Sequence, residues 1–348
     1  MQAAAARALG LLAVSALAAL AALAAPVAMP AQGVDSAPAA GVPATPPWPG
    51  KPLRLVIPQP QGGDADQLAG PLAAALGRLL GQPVVLDHRP GLGGKLGAEI
   101  VAKSPADGYT FLLGSVDQVI AASLQPTSAY DLQRDLAPVT LLALAPAVLV
   151  IGAAQQAIDD VAGLIREQRA NPAALSYAST GYGTLSHLAA ERYRQATAAG
   201  AGAVHRPYRE SSAALADLQA GAVDFMVAPL GLALPGIREN KLRALAVTGG
   251  TRAFALPAVP TLAQAGVPGV QLQVWYALWS PAGTPAAINL SMQQGVAAVL
   301  DQKDMVDTWN KLGAQRGGQQ QHVLELLIRS ESLKWGRTIT ELGIEPNQ

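Results

Sequence analysis

The feature that most constrains this chain is the stretch from Leu53 to Leu80, where a short apolar run is followed by two glycines and then by an apolar pattern of helical period. The run Leu53–Ile57 is typical of a strand buried on both faces of a parallel sheet. Asp64 and Asp66 favour a helix start, and leucines recur on one face of the segment after them. This part of the chain is therefore predicted to form a strand followed directly by a helix.

Gly62 and Gly63 lie between that strand and that helix. Backbone N–H groups at the start of a helix favour an anion such as a carboxylate. A glycine pair after a strand is more often a plain tight turn, and the local pattern leaves both interpretations open. The candidate ligand-binding residues of this loop are Gln61, Gly62, Gly63 and Asp66.

Strands and helices then continue to alternate, which predicts parallel sheets with right-handed crossovers and hence an α/β fold. Two such units are expected, one before and one after a strand that begins at Ala147. A long strand over 270–279 returns the chain to the first unit, and the rest is helical. Further strands are predicted over 83–87, 110–115, 175–179, 203–208, 223–227 and 242–247.

A second loop repeats the strand, glycine and helix order of the first, because small and hydroxyl residues follow the strand over 175–179 and a helix opens at Thr184. Thr184 also fits a helix N-cap with no further role, and His187 also fits a packed core histidine. Ser115, at the end of an earlier strand, adds one more hydroxyl. The candidates in the second loop are Ser179, Thr180, Gly181, Tyr182, Gly183, Thr184 and His187.

Charge and cysteine content exclude several classes of function. Lysine plus arginine and aspartate plus glutamate number 24 each, with no run of like charge, so nothing favours a nucleic-acid partner. The absence of cysteine excludes disulfides, thiolate metal sites, a cysteine nucleophile and lipoprotein acylation. No metal or organic cofactor is expected.

The N-terminus is typical of an exported protein. Arg7 precedes an apolar run with a small-residue cleavage pattern, which predicts a signal peptide over residues 1–25. A retained membrane anchor is the alternative, although alanine-rich runs span bilayers poorly. Residues 26–50 are rich in proline, alanine and glycine and are predicted to be a disordered spacer.

Two enzymatic interpretations find little support. The glycines after the second strand begin like a dinucleotide-binding fingerprint, but Leu96 replaces its third small residue. Ser179 or Ser186, with a histidine and Asp224, supplies the residue types of a serine hydrolase, yet no Gly-x-Ser-x-Gly elbow is present. A hydrolase remains a minor alternative.

Ordered sequence blocks resemble the substrate-binding proteins of tripartite tricarboxylate transporters, often called the Bug family. The resemblance implies a periplasmic, two-lobed type II binding protein, with each lobe a mostly parallel sheet flanked by helices and with two crossing strands between the lobes. Lobe 1 would comprise residues 51–146 and 280–348, and lobe 2 residues 147–279. The blocks are Pro58–Asp66, Gly81–Gly94, Asp107–Gly114, Ala137–Thr140, Leu175–His187, Arg206–Arg209, Lys241–Thr248 and Ser280–Pro285.

The resemblance implies that a small organic carboxylate is captured between the lobes by closure and delivered to integral membrane subunits, by a monomeric receptor rather than an enzyme. The carboxylate contacts would come largely from the N–H groups of Gly62, Gly63 and the loop 181–184. A sensor that signals through a membrane partner is the alternative.

Departures from the family pattern bear on specificity. Tyr208 matches the family's Pro-Tyr-Lys-Gly loop, but Arg209 and Glu210 replace its last two residues. Ala228 and Pro229 stand where a polar residue is common, and Ala228 is included among the candidates. This substitution favours a ligand with an apolar body, so dicarboxylates and aromatic carboxylates are both expected.

Overall fold

This computed structural model describes residues 48–125, 129–172, 175–199 and 202–346. The predicted signal peptide and residues 26–47 of the predicted spacer lie outside the described residues. Within the described ranges, no helix has the length and apolar character required to span a bilayer.

The described part of the chain forms ten strands and ten helices, with a 3-10 turn over Leu92–Gly94. The strands are β1 (Leu53–Ile57), β2 (Val84–His88), β3 (Thr110–Ser115), β4 (Leu136–Gly152), β5 (Ser176–Ser179), β6 (Val204–Pro207), β7 (Phe225–Pro229), β8 (Leu242–Val247), β9 (Gln273–Pro281) and β10 (Gln315–Arg316). The helices are α1 (Asp64–Leu80), α2 (Lys95–Ala102), α3 (Val116–Leu124), α4 (Val161–Ala170), α5 (Leu185–Thr197), α6 (Ser211–Ala220), α7 (Leu230–Arg238), α8 (Ala286–Leu300), α9 (Lys303–Lys311) and α10 (Gln321–Leu342).

One strand, β4, joins the two halves of the sheet, whose order is β2-β1-β3-β9-β4-β7-β5-β6. Residues 136–146 of β4 pair with β9, and residues 147–152 pair with β7 and β8. We call the half built on β1–β3 and β9 lobe 1, and the half built on β5–β8 lobe 2. The exact lobe boundaries stay a prediction; the ladders change over at Ala147, and β9 pairs only within lobe 1.

The sheet is mixed rather than mostly parallel. The β1–β2, β1–β3, β5–β6 and β5–β7 ladders are parallel, whereas every ladder made by β4 or β9 is antiparallel. The chain returns from lobe 2 to lobe 1 over residues 248–272, which form turns and only one isolated bridge instead of a second crossing strand. Glycine and proline are frequent in this segment and break strand ladders. Thr248 connects β4 to the end of this segment, because its Oγ1 accepts a hydrogen bond from Ala147 N (2.9 Å) and donates one to Leu272 O (2.8 Å).

Three elements were missed by the sequence analysis: α3, the first part of β4, and the two-residue strand β10. The first is α3, whose β-branched sequence does not favour a helix, although Ser115 and Gln118 form a capping box at its start. The second is the first part of β4, where Pro138 and Pro146 obscure a strand that has bulges in its ladder with β9.

The core explains why lobe 1 keeps its shape. Four fully buried tryptophans lie in it: Trp275, Trp279, Trp309 and Trp335. Trp279 packs so closely on β3 that a Cβ placed on Gly114 would lie 2.7 Å from its ring. Lobe 2 adds its own cluster of buried aliphatic residues behind β7 and β8.

Candidate functional site

A cavity of about 900 Å³ lies between the lobes. This volume falls in the range typical of small-molecule sites. Its wall comprises Pro58–Pro60, Asp64, Pro90–Gly94, Asp117, Gln118, Ala121, Leu124, Gln125, Thr180–Thr184 and Pro207–Ser211.

Parallel pairing explains why these segments meet. Ile57 at the end of β1 is in register with His88 at the end of β2, and Ser179 at the end of β5 with Pro207 at the end of β6. The loops that follow each pair therefore emerge at one edge of their lobe, where ligands of open α/β sheets bind. The helix α3, which follows β3 directly, completes the lobe 1 side.

The structure divides the predicted site residues into two groups. Those on the cavity wall are Thr180, Gly181, Tyr182, Gly183, Thr184 and Tyr208. Those off the wall are Gln61, Gly62, Gly63, Asp66, Ser115, Ser179, His187 and Ala228. Whether any of them contacts a ligand stays a prediction.

The glycine pair before α1 has its N–H groups engaged within the protein. Gly62 N donates to Asp66 Oδ2 (3.0 Å), and Gly63 N donates to Pro60 O (3.2 Å). Asp66 Oδ1 also lies 2.7 Å from His88 Nε2. Because both amides already have acceptors, the tight-turn interpretation describes this loop, and the expectation that these amides face a carboxylate is not met in this conformation.

Ser115 and Ala228 have structural positions. Ser115 is the buried N-cap of α3, where its hydroxyl accepts from Asp117 N (3.2 Å). Ala228 is buried within β7 and pairs with Val148 of β4. The expected apolar wall therefore does not come from Ala228; it comes from prolines and from Leu92, Ala121 and Leu124.

Ser179 and His187 are buried beside the second loop and do not line the cavity. Ser179 Oγ lies 2.6 Å from His205 Nε2, and Gly183 N donates to His187 Nδ1 (3.2 Å). The two histidine rings stack with centroids 4.0 Å apart. Burial lowers the pKa of both to about 4, so the pair is neutral at neutral pH.

Thr184 is the N-cap of α5, as predicted, with its hydroxyl oxygen 3.5 Å from His187 N. The same hydroxyl donates to Gly181 O (2.8 Å) and so fixes the loop. Gly183 has φ +73°, and a Cβ placed on it would lie 2.8 Å from Leu124 of lobe 1. The lobes thus approach each other closely at a position where glycine satisfies both the backbone and the space available.

Tyr208 and Arg209 stand where the cavity meets solvent. The Tyr208 hydroxyl donates to Asp217 Oδ2 (2.6 Å), and burial together with this carboxylate raises the Tyr208 pKa to about 12. Arg209 is exposed and forms no ion pair with any described residue. Glu210 follows it as the N-cap of α6, without a side-chain cap hydrogen bond.

Two carboxylates on the wall were not predicted. Asp117, in the first turn of α3, accepts a hydrogen bond at Oδ1 from Leu185 N, the first residue of α5 in lobe 2 (2.8 Å). Burial, assisted by the charge of Asp64, raises the Asp117 pKa to about 7. Burial also raises the pKa of Asp64, although the Tyr276 hydroxyl donates to it.

The glycine loop before α2 also lines the cavity, although the sequence analysis assigned it no ligand role. Gly91, Gly93 and Gly94 all have positive φ, and a Cβ on Gly94 would lie 2.2 Å from Gln118 Nε2. This loop follows β2, the parallel neighbour of β1, so the pairing of the two predicted strands was the available indication.

The serine hydrolase residues do not form a triad. Asp224 Oδ2 accepts from Ser176 N (2.7 Å) rather than from a histidine, and Ser186 donates to Val227 O (2.7 Å). Ser179 has its histidine but is fully buried away from the cavity. Among the described residues, no group of three or more acidic or histidine side chains could hold a metal ion.

An α/β protein with two lobes joined by a long shared strand, and a cavity with a few polar groups between them, has the architecture of a bilobal solute-binding protein. The model of the tripartite tricarboxylate transporter family receptor matches residues 68–344, and the chain belongs to this family. The predicted resemblance and the predicted fold class are thereby confirmed, apart from the strand directions and the single crossing strand.

Three comparisons are informative. Protein BugT from Bordetella pertussis is 33% identical over 298 residues, covering 85% of this chain and 90% of BugT. A Rhodopseudomonas palustris protein, Rpa4515 with adipate, superposes with TM-score 0.82 at 33% identity, covering 86% of this chain and 100% of the other. MatC from the same organism, with bound malate, gives TM-score 0.77 at 29% identity, covering 84% and 100%.

The family also settles the class of activity. Its members are periplasmic solute-binding receptors and not enzymes, which confirms that no catalytic function should be assigned to this chain.

Proposed function

We propose that this protein captures a small organic carboxylate in the interlobe cavity by closure of the two lobes and delivers it to the membrane subunits of a tripartite tricarboxylate-type transporter. The observation that carries the proposal is the cavity itself, which the loops after β1, β2, β5 and β6 line from both lobes. Support comes from relatives of the same fold in complex with adipate and malate.

The donors available to a carboxylate differ from those expected. Arg209 is without an ion-pair partner among the described residues, and the first N–H groups of α6, at Ser211, have no side-chain cap. A guanidinium beside an open helix start favours a carboxylate. The loop 181–184 forms part of the cavity wall, but its Gly183 N–H is not free to bind a carboxylate, because it donates to His187 Nδ1.

A titration tests the proposal. Adipate, malate and an aromatic carboxylate are titrated into the full chain by calorimetry, with the melting temperature followed in parallel, and adipic diamide serves as the uncharged control. A ligand at about 100 times its Kd should add about 2.7 kcal/mol to the free energy of unfolding. Absence of binding by every carboxylate, or equal binding of the diamide, would contradict the proposal.

Export to the periplasm by the predicted signal peptide is part of the same proposal. Expression of the complete chain in a Gram-negative host should yield a periplasmic protein whose intact mass lacks the N-terminal apolar run. Full-length mass in the membrane fraction would instead support the retained anchor.

A further inference from the structure

We propose that the ligand of this cavity carries a protonated amine in addition to its carboxylate, and that Asp64 and Asp117 bind the amine. This inference rests on the proposed function, since it names the chemistry of the ligand for the same cavity.

The lobe 1 wall carries negative charge without compensation. Asp64 and Asp117 both line the cavity, and no described lysine, arginine or histidine pairs with either of them. The donors to both carboxyls are neutral. Asp64 accepts from the Tyr276 hydroxyl and is also hydrogen-bonded by the Gln59 side chain. Asp117 accepts from Leu185 N and is also hydrogen-bonded by the Ser115 side chain. A second anion beside these groups would be repelled, whereas an ammonium group would be stabilised by both.

Asp117 is arranged so that it can serve the ligand and lobe closure together. Its Oδ1 accepts from Leu185 N of lobe 2, while the same carboxyl lines the cavity. The elevated pKa of Asp117, about 7, follows from burial and from the nearby charge of Asp64, and a bound cation would relieve both effects.

A buried amide next to Asp117 points to the same ligand. Gln118 is 1% exposed and lines the cavity; its Oε1 accepts from Ser115 N, while its Nε2 has no acceptor among the described residues. This N–H group on the cavity wall is therefore available to an acceptor on the ligand. A carboxylate oxygen on a ligand held by Asp117 would supply it.

Lobe 2 provides the complementary charge. Arg209 is the cation on the cavity wall, and Glu210, the remaining charged side chain there, is exposed at the α6 start. A ligand with both an ammonium and a carboxylate group matches a wall that is acidic on lobe 1 and carries a free guanidinium on lobe 2. A dicarboxylate matches only the lobe 2 part, unless an aspartate takes up a proton.

The test compares ligands of matched length that differ in one charged end. Adipate is compared with ε-aminocaproate by calorimetry on the full chain at about pH 8, above the Asp117 pKa of about 7. We expect the amino carboxylate to bind about tenfold or more tightly than its dicarboxylate counterpart.

Two variants locate the amine. Asp117→Asn and Asp64→Asn should each weaken ε-aminocaproate at least about tenfold while leaving adipate equal or tighter, because a neutral amide no longer attracts an ammonium group. Asp307→Asn, an exposed carboxylate on α9 away from the cavity, is the matched control and should change neither ligand. Melting curves exclude unfolding, and two independent aspartates keep the test valid if one variant fails to fold.

The possible failures are separable. If dicarboxylates bind more tightly than amino carboxylates and the two variants change nothing, this inference is wrong and the proposed function stands. If dicarboxylate affinity rises as pH falls through about 7, the aspartates act as protonated hydrogen-bond donors and the amine assignment is again wrong. If neither class binds, the proposed function fails.

Discussion

Asp117 shows how one side chain links folding, closure and the charge of the site. It caps a helix of the opposite lobe through Leu185 N, yet the same burial disfavours its ionised form. The folded protein therefore retains a proton on this carboxyl over a pH range in which the unfolded chain has lost it.

The first prediction concerns Asp117→Asn. Because the folded pKa is about 7 and the reference value is 3.8, the stability contributed by the carboxyl is fully present below about pH 4 and is lost as pH rises through 7. Asparagine keeps an oxygen for Leu185 N and carries no charge. The variant should thus gain about 4 kcal/mol relative to wild type between pH 4 and pH 8, measured by urea unfolding.

A difference that stays constant with pH would contradict this assignment. Asp307→Asn provides the control, since its carboxylate is exposed and its pKa is lowered by Lys303. That control should show no gain as the pH is raised from 5 to 8.

The second prediction concerns the stacked histidines. The folded pKa of His187 and His205 is about 4 against 6.5 for a free side chain, so their contribution is present above pH 6.5 and is lost as pH falls toward 4. The free energy of unfolding should fall by about 1.4 kcal/mol per pH unit for each histidine in that interval. Replacing both by glutamine should flatten this part of the stability profile; an unchanged slope would show that the imidazoles do not titrate on unfolding.

At the scale of elements, β3, β9 and α3 form one packed unit beneath the cavity. Gly114 permits this packing, because a Cβ there would lie 2.7 Å from the Trp279 ring and 2.8 Å from Gln118 Oε1. Any side chain at this position must therefore displace the Trp279 ring and the Gln118 side chain.

The third prediction follows from that contact. Gly114→Ala should lower the free energy of unfolding by about 1–3 kcal/mol through overpacking. Gly336→Ala in α10, where nothing lies within 4 Å of the added carbon, should instead raise it by about 0.5–1 kcal/mol. Equal effects in the two variants, measured by chemical unfolding, would show that the Trp279 contact is not tight.

Element alternation could be predicted from the sequence because apolar runs, glycines and helix caps are local. The loop 180–184 and Tyr208 reach the cavity wall for the same reason, since each follows a recognisable strand. Asp64 and Asp117 were missed because an acidic residue in the first turn of a helix is usual, and only tertiary structure shows that it faces another lobe. Asp117 meets Leu185 across 68 positions of sequence, a separation that no local pattern encodes.

At the scale of the whole molecule, the proposed closure depends on how near lobe 2 can come to Leu124. Gly183→Ala combines an unfavourable φ of +73° with a Cβ 2.8 Å from Leu124. The fourth prediction is that this variant weakens binding of any carboxylate ligand about tenfold or more, because the lobes are held apart.

The matched control is Gly221→Ala at the end of α6. Its φ of +75° imposes the same backbone strain, but nothing lies within 4 Å of the added carbon. Both variants should lose about 1 kcal/mol of stability, while only Gly183→Ala should lose affinity in a titration. Equal affinities in the two variants would show that Gly183 does not govern closure.

The single crossing strand has a mechanical consequence. β4 has 17 residues, which at about 3.3 Å each make a rod of roughly 55 Å. Because this strand pairs within both lobes, a change in the angle between the lobes has to twist or bend β4 near Ala147, where its ladders change over.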